Sequence, residues 1–423
     1  MNPVSSQLKH RHRKETEIKM RFGHFCKALG VLTLAAAVSL GVTKANAQET
    51  IRIGMTSALT GPYNEYGEGA RRGIELAIEK WNAKGGINGK KIELAMLLDD
   101  QLVPDRAVQN MRRLLDNKDL VAIIGPAGTG PTLAVIEMAA VDGRPYMNPI
   151  AQTPSITYPG GGKPRPNVFS FGLQNDVEMK MQAQYVVAKG FKKIGLLHES
   201  TAAGVSAAEV ISKELKAEGQ PAPVADESYN QKAQDMTAQV ARLQRAGVDV
   251  IVYTGLGADL AVVRRTMARL NWVVPLVANN ASLSPPYEEG AGDLVLGTLG
   301  SMIAAFGEDA LNPVAREFAN AYKAKYSADR WWGSDPATPQ LSMSLTVANA
   351  YDADLVLFEG IRLANSIDPK AIAKAIESIK EYRGVNGLYF FSPDKHHGVT
   401  EKDLAIFQYV KTGERIRLQI AKD

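Results

Sequence analysis

The chain of 423 residues holds a single cysteine, Cys26, and it stands ahead of an apolar run, not after it. A lipidated leader places its cysteine just past such a run, so Cys26 is read as lost with the leader. Residues 48–423 then contain none, which excludes disulfide frameworks and thiolate metal sites. A core drawn from so long a segment does not need them. Long apolar segments are equally scarce. Residues 28–42 form the longest, 15 residues against the roughly 20 that span a bilayer. Seven Lys and Arg between residues 9 and 27 precede this run, and Ala45-Asn-Ala47 follows it. A basic segment, a short apolar segment and a small-residue site in that order predict a cleaved secretory leader over 1–47, with Met20 an alternative start. A membrane anchor is the competing reading, and the run is too short for it. The remainder is expected to be soluble, with no stable membrane insertion.

Excess positive charge is also missing once the leader is set aside. The whole chain carries +4, but residues 1–47 contribute eight Lys/Arg and two Asp/Glu, so the remainder is −2. No basic tract is left to suggest nucleic acid. Catalytic signatures are thin. No Gly-x-Ser-x-Gly elbow occurs, and beyond the leader the histidines are only His198, His396 and His397. His396-His397 lies in a Pro-Asp-Lys-His-His-Gly stretch without the i, i+4 spacing of a helical metal site, so a polar surface turn is the expectation. Asp99-Asp100 at a strand end reads as a pair of solvated turn residues pointing apart, not as an acid–base couple. Tyr66-Gly-Glu-Gly-Ala-Arg-Arg-Gly73 falls one residue out of a dinucleotide fingerprint. The reading is of a protein that is not an enzyme and has no cofactor or metal.

What is present is a regular alternation. Strands are predicted at 51–57, 91–98 and 121–124, with helices at 67–83, 105–116 and 131–141. Residues 145–166 are rich in Pro and Gly and break the pattern. The alternation then restarts, with helices at 177–189, 207–217, 236–246 and 259–270 and strands at 193–198, 224–228, 250–254 and 276–278. The tail holds helices near 314–326, 341–364 and 369–379 and strands near 387–391, 405–410 and 416–420. The order predicts α/β architecture with parallel sheets and right-handed crossovers, in two Rossmann-like lobes. Open sheets of this kind bind ligands at the carboxyl ends of their strands, which puts a ligand cleft between the lobes.

Several segments together resemble the branched-chain-amino-acid type of periplasmic binding protein. They are Ile53-Gly-Met-Thr-Ser-Ala-Leu-Thr-Gly-Pro62 with Tyr66-Gly67, Asn82-Ala-Lys-Gly-Gly-Ile-Asn-Gly89, Asp99-Asp100, Ala122-Ile-Ile-Gly-Pro126, Asn148-Pro149, Ala350-Tyr-Asp-Ala353 and Phe391-Ser-Pro-Asp394. The resemblance spans residues 48–423. It implies the type I periplasmic binding protein fold, in which three crossings form a hinge between the lobes. Lobe I would comprise roughly 48–170 and 300–392, and lobe II roughly 171–299 and 393–423. It further implies a periplasmic protein that closes on a small organic solute and delivers it to an inner-membrane ABC permease. A ligand-sensing module of the same fold reporting to a signalling partner is the alternative.

The resemblance also implies a site. In Gly125-Pro-Ala-Gly-Thr-Gly130, the backbone around Ala127 and the hydroxyl of Thr129 would meet a ligand carboxylate; without the resemblance, a Gly-rich turn with Thr129 as a helix cap is an equal reading. The loop lacks Gly-Lys-Ser/Thr and so is no nucleotide P-loop. Within Asn148-Pro-Ile-Ala-Gln152, the carbonyl of Ile150 and the side chain of Gln152 would receive an ammonium, and Tyr66 would border the pocket. The sequence departs from the family in lobe II. Asn280 stands where an acid usually meets the ammonium, small or polar residues replace aromatics near Ala203 and Leu256, and Leu102 and Gly128 or their neighbours stand where some members carry two cysteines. A buried ammonium without a carboxylate is costly. The expectation therefore leans to a carboxylate without an ammonium, such as an aromatic acid, with a branched-chain amino acid close behind. Glu199 or Asp259 would supply the missing acid if the register differs. Trp331-Trp332 is expected to be a hydrophobic plug, with stacking on a ligand as the alternative.

Overall fold

The computed structural model describes residues 50–304, 312–326, 331–332, 340–341 and 344–421. The expected leader lies outside them.

The first lobe is built on β1 (Ile51–Ser57), β2 (Ile92–Asp99), β3 (Leu120–Ile124), β4 (Tyr146–Asn148) and β5 (Val168–Ser170), ordered β2-β1-β3-β4-β5 and parallel throughout. Ile53, Met55 and the five residues of β3 are buried, as strands covered on both faces require. Helices α1 (Asn64–Ala83), α2 (Pro104–Asp116) and α3 (Thr129–Asp142) make the crossovers. The short strand β4 lies inside the stretch 145–166 that the Pro- and Gly-rich composition marks as irregular, and β5 follows it.

The second lobe uses β6 (Ile194–Glu199), β7 (Ala225–Tyr229), β8 (Val250–Thr254), β9 (Leu276–Ala278) and β10 (Leu299–Ile303), with α4 (Asn175–Ala188), α5 (Ala202–Ala217), α6 (Thr237–Arg245) and α7 (Gly257–Arg269) between them. Two C-terminal strands, β11 (Leu404–Thr412) and β12 (Arg415–Ile420), add antiparallel to β10, giving the order β12-β11-β10-β9-β8-β6-β7. The division expected at residue 300 falls inside β10, which pairs with β9 at Leu299 and Gly300 and with β11 from Leu299 to Ile303.

A long helix, α8 (Ser344–Ala364), returns to the first lobe and packs on α1. Gly69 and Gly73 let the two approach: a Cβ on Gly73 would collide with the carbonyl of Val347, and one on Gly69 with Thr346. Two glycines of the near-fingerprint, Gly69 and Gly73, therefore serve helix packing. Trp331–Trp332 pairs its backbone with Gln340–Leu341, and its side chains lie outside the described residues.

Two of the crossings run side by side. Ser170 donates its N–H to the carbonyl of His396 at 2.9 Å and accepts from Gly398 at 2.9 Å. His396 and His397 are buried, contrary to the surface turn read from their neighbours. Nδ1 of His396 lies 3.1 and 3.0 Å from the carbonyls of Arg165 and Val168, and its ring stacks on Phe169 at 4.3 Å. Nε2 of His397 meets the carbonyl of Gly172 at 2.8 Å, and burial depresses its pKa to about 4, which keeps it neutral. No cluster of metal-ligating side chains occurs among the described residues, and none of their helices is long and apolar enough to cross a membrane.

Candidate functional site

The carboxyl ends of β3, β4, β6, β8 and β9 converge on a cavity of about 340 Å³. This lies at the small end of the range for small-molecule pockets. From the first lobe come Leu102, the loop from Ala127 to Pro131, Ile150 to Gln152, Tyr66 and Thr346. From the second come Glu199, Thr201 to Ala203, Gln231, Thr254 to Leu256 and Asn279 to Ala281. None of these lining residues is basic, and Glu199 alone is acidic.

Three helices, α3, α5 and α7, begin at this cavity, and none has a side-chain cap. Free first-turn N–H groups and the positive ends of the helix dipoles therefore face it. Thr129 is not the cap, since the helix is entered from Gly128 in extended geometry. Its Oγ accepts the backbone N–H of Gln152 at 3.2 Å, which leaves the hydroxyl proton for the cavity. A Cβ on Gly125 would strike the Tyr146 hydroxyl, so the loop keeps its path only with glycine there. A Cβ on Gly128 would meet Leu102 at 2.7 Å, so the side chain of Leu102 leaves no room for a larger residue there unless it shifts.

Leu102 is set by Asp100. Asp100 is buried, accepts from Thr56 at 3.0 Å and from the N–H of Leu102 at 2.9 Å, and burial raises its pKa to about 6. The expectation of a solvated turn residue fails for it, because these donors replace water. Asp99 is the half-buried neighbour, holding the N–H of Leu59 at 2.9 Å.

In the second lobe Glu199 is 4 % exposed, accepts from Thr201 and from Nε2 of Gln231 at 2.9 Å, and is pushed above the ordinary carboxyl range by burial. An acid of the second lobe therefore does line the cavity, at the end of β6, while Asn280 lines it from the end of β9. Asp259 does not line the cavity. It accepts the hydroxyl of Tyr63 across the lobes at 3.4 Å and the N–H of Lys232 at 3.2 Å, and burial next to Glu199 raises its pKa to about 7. Tyr229 and Tyr253 stack with their hydroxyls 2.6 Å apart, and Tyr253 donates to the carbonyl of Leu256 at 3.0 Å, fixing that turn.

All seven residues singled out from the sequence, Tyr66, Ala127, Thr129, Ile150, Gln152, Leu256 and Asn280, border this one cavity, and Ala203 does too. The Tyr66 hydroxyl is buried and has no hydrogen-bond partner among the described residues. The carbonyl of Ile150 faces Gly172, where a Cβ would approach to 2.7 Å. Sequence reasoning missed Glu178, which is fully buried in α4 behind Gln152 and Asn280. Its signal was an acid paired with Gln182 at i, i+4 on a helix face that otherwise carries Met179, Ala183 and Val186.

The periplasmic binding protein profile matches residues 50–414. The chain belongs to the periplasmic binding protein family. This periplasmic binding protein is 64 % identical to a type 1 member from Bordetella pertussis Tohama I, at a TM-score of 0.85, with 88 % of this chain and all of that one covered. It is 24 % identical over 391 residues to the leucine-, isoleucine-, valine-, threonine- and alanine-binding protein of Pseudomonas aeruginosa, covering 92 % of this chain and 98 % of the relative. The fold is shared with a branched-chain amino acid transporter substrate-binding protein of Streptococcus pneumoniae bound to isoleucine. That likeness has 22 % identity and a TM-score of 0.73, over 88 % of this chain and 100 % of the other.

Proposed function

We propose that this protein is the periplasmic receptor of an ABC importer of the branched-chain-amino-acid type, and that its solute is a small aliphatic α-amino acid. One observation carries the reading: the uncapped start of α3 and the carboxylate of Glu199 line one cavity from opposite lobes. The solute carboxylate sits at the first-turn N–H groups of α3 and the hydroxyl of Thr129. Its ammonium faces Glu199, which offsets the cost of burying the charge. Leu102, Ala127, Ala203, Leu256 and Ala281 enclose an aliphatic side chain. Absence of a basic lining group disfavours a dicarboxylate. Binding from both lobes favours the closed arrangement, which a membrane permease then engages. The names of the relatives accord with this class.

Asn280 favours a second reading, a carboxylate lacking the ammonium, as in an aromatic acid. There the Glu199 carboxyl, its pKa raised by burial, would donate to the solute when protonated. A sensor passing occupancy to a signalling partner would use the same cavity. Thermal shift on protein that has been unfolded and refolded to strip bound solute separates these readings. Solute at 1,000 times its dissociation constant adds about 4 kcal/mol of stability. A shift with leucine, isoleucine, valine, threonine or alanine is expected; a shift with aromatic acids alone overturns the amino-acid assignment.

A further inference from the structure

Two amide side chains line the cavity, Gln152 from the first lobe and Asn280 from the second. An amide can present either its oxygen or its nitrogen to a ligand, so the orientation decides what the site recognises. Behind both stands Glu178. Its Oε2 accepts Nδ2 of Asn280 at 3.0 Å and Nε2 of Gln152 at 3.4 Å. Its Oε1 accepts the backbone N–H of Asn280 at 2.7 Å and the hydroxyl of Ser301 at 2.5 Å. Ser301 is itself held by Nε2 of Gln182 at 2.8 Å. Burial raises the Glu178 pKa to about 7; above that pH the ionised carboxylate only accepts, so both amides turn their nitrogens toward it. Their oxygens accept from no other group among the described residues and are left for the cavity.

We infer that Glu178 is a positioning residue that sets ligand class, by holding Gln152 and Asn280 with their oxygens toward the solute so that the site favours solutes bearing N–H donors. This deepens the amino-acid reading and rests on it. Substitution by glutamine has a defined consequence. The two donors at Oε1, Asn280 N–H and Ser301 O–H, keep an oxygen there, so the new amide nitrogen replaces Oε2. Donor then faces donor, and relief comes when Gln152 or Asn280 turns its nitrogen into the cavity. The site would then repel an ammonium and still hold the carboxylate at α3.

The test is calorimetric titration of wild type, E178Q and E178D with leucine, isoleucine, valine, threonine and alanine and with their 2-hydroxy acid analogues. Circular dichroism confirms that each variant folds. Wild type should prefer the amino acids; E178Q should lose that preference by about tenfold or more, with hydroxy-acid affinity changed by less than about threefold. E178D, which keeps an acceptor, should retain part of the preference. In a Q152A/N280A background the E178Q change should no longer alter the ratio, because the groups it acts through are gone. Equal loss for both ligand series, or an unchanged ratio in E178Q, overturns the inference and leaves the amino-acid reading intact. Wild type that binds none of the amino acids, or prefers the hydroxy acids, overturns both.

Discussion

The two lobes contribute to the cavity by different means. The first offers chiefly backbone, at the uncapped start of α3 and the loop from Ala127 to Pro131, together with the hydroxyl of Thr129 and the amide of Gln152. The second adds the uncapped starts of α5 and α7, but what sets it apart is a carboxylate, Glu199 held by Thr201 and Gln231, beside Asn280 held by Glu178. Backbone donors come with the fold and tolerate exchange of the side chains around them. Recognition by side chains depends on each residue and its supports. The first lobe should therefore read any carboxylate, and the second should decide which carboxylate is kept.

The sharpest break comes from filling the backbone site. In A127W the indole occupies the space before α3, and titration should detect no binding of any amino acid; binding within tenfold of wild type would mean the carboxylate lies elsewhere. E199Q comes next. Leaving an ammonium facing an amide instead of a carboxylate should weaken amino-acid affinity roughly 30-fold or more, while 2-hydroxy acids bind nearly as before. Equal losses would erase the proposed division between the lobes. T129V should cost only about three- to tenfold, one hydrogen bond among several. A larger loss than in E199Q would show that the first lobe, too, relies on a side chain.

The smallest effect concerns stability without ligand. Burial raises Glu178 from 4.5 to about 7 and Asp259 from 3.8 to about 7. Between the ordinary carboxyl values and pH 7, the folded protein binds more protons than the unfolded chain, so stability falls as pH rises through that window. Calorimetry should find Tm a few degrees higher at pH 5.5 than at pH 7.5, with the difference reduced in E178Q and D259N. A Tm that rises with pH in wild type, or an unchanged slope in both variants, would refute the assignment.

The asymmetry between the lobes also explains what the sequence made legible. A backbone site announces itself through local order, strand then Gly-rich loop then helix, and 125–130 shows all three. The parallel sheets were readable for the same reason, since each apolar run of five or more residues carries its own period. Glu178 was invisible because its meaning lies in Asn280 and Ser301, more than a hundred residues away. Asn280 alone suggested a missing acid, whereas an acid, Glu199, lines the cavity from another strand end. Asp100 and His396 looked like surface groups because polar neighbours surround them in sequence; in the fold their partners come from Thr56, Arg165 and Val168.

The paired crossings have a mechanical consequence. Ser170 ties the first crossing to the third through His396 and Gly398, and Gly172 is tied again through His397. Two strips fastened edge to edge flex together and resist shearing past each other, as a piano hinge does. The lobes should consequently swing along a single arc and not wander through many mutual orientations. A receptor with fewer open poses surrenders less freedom each time it shuts, so much of its alignment is already made before the solute arrives.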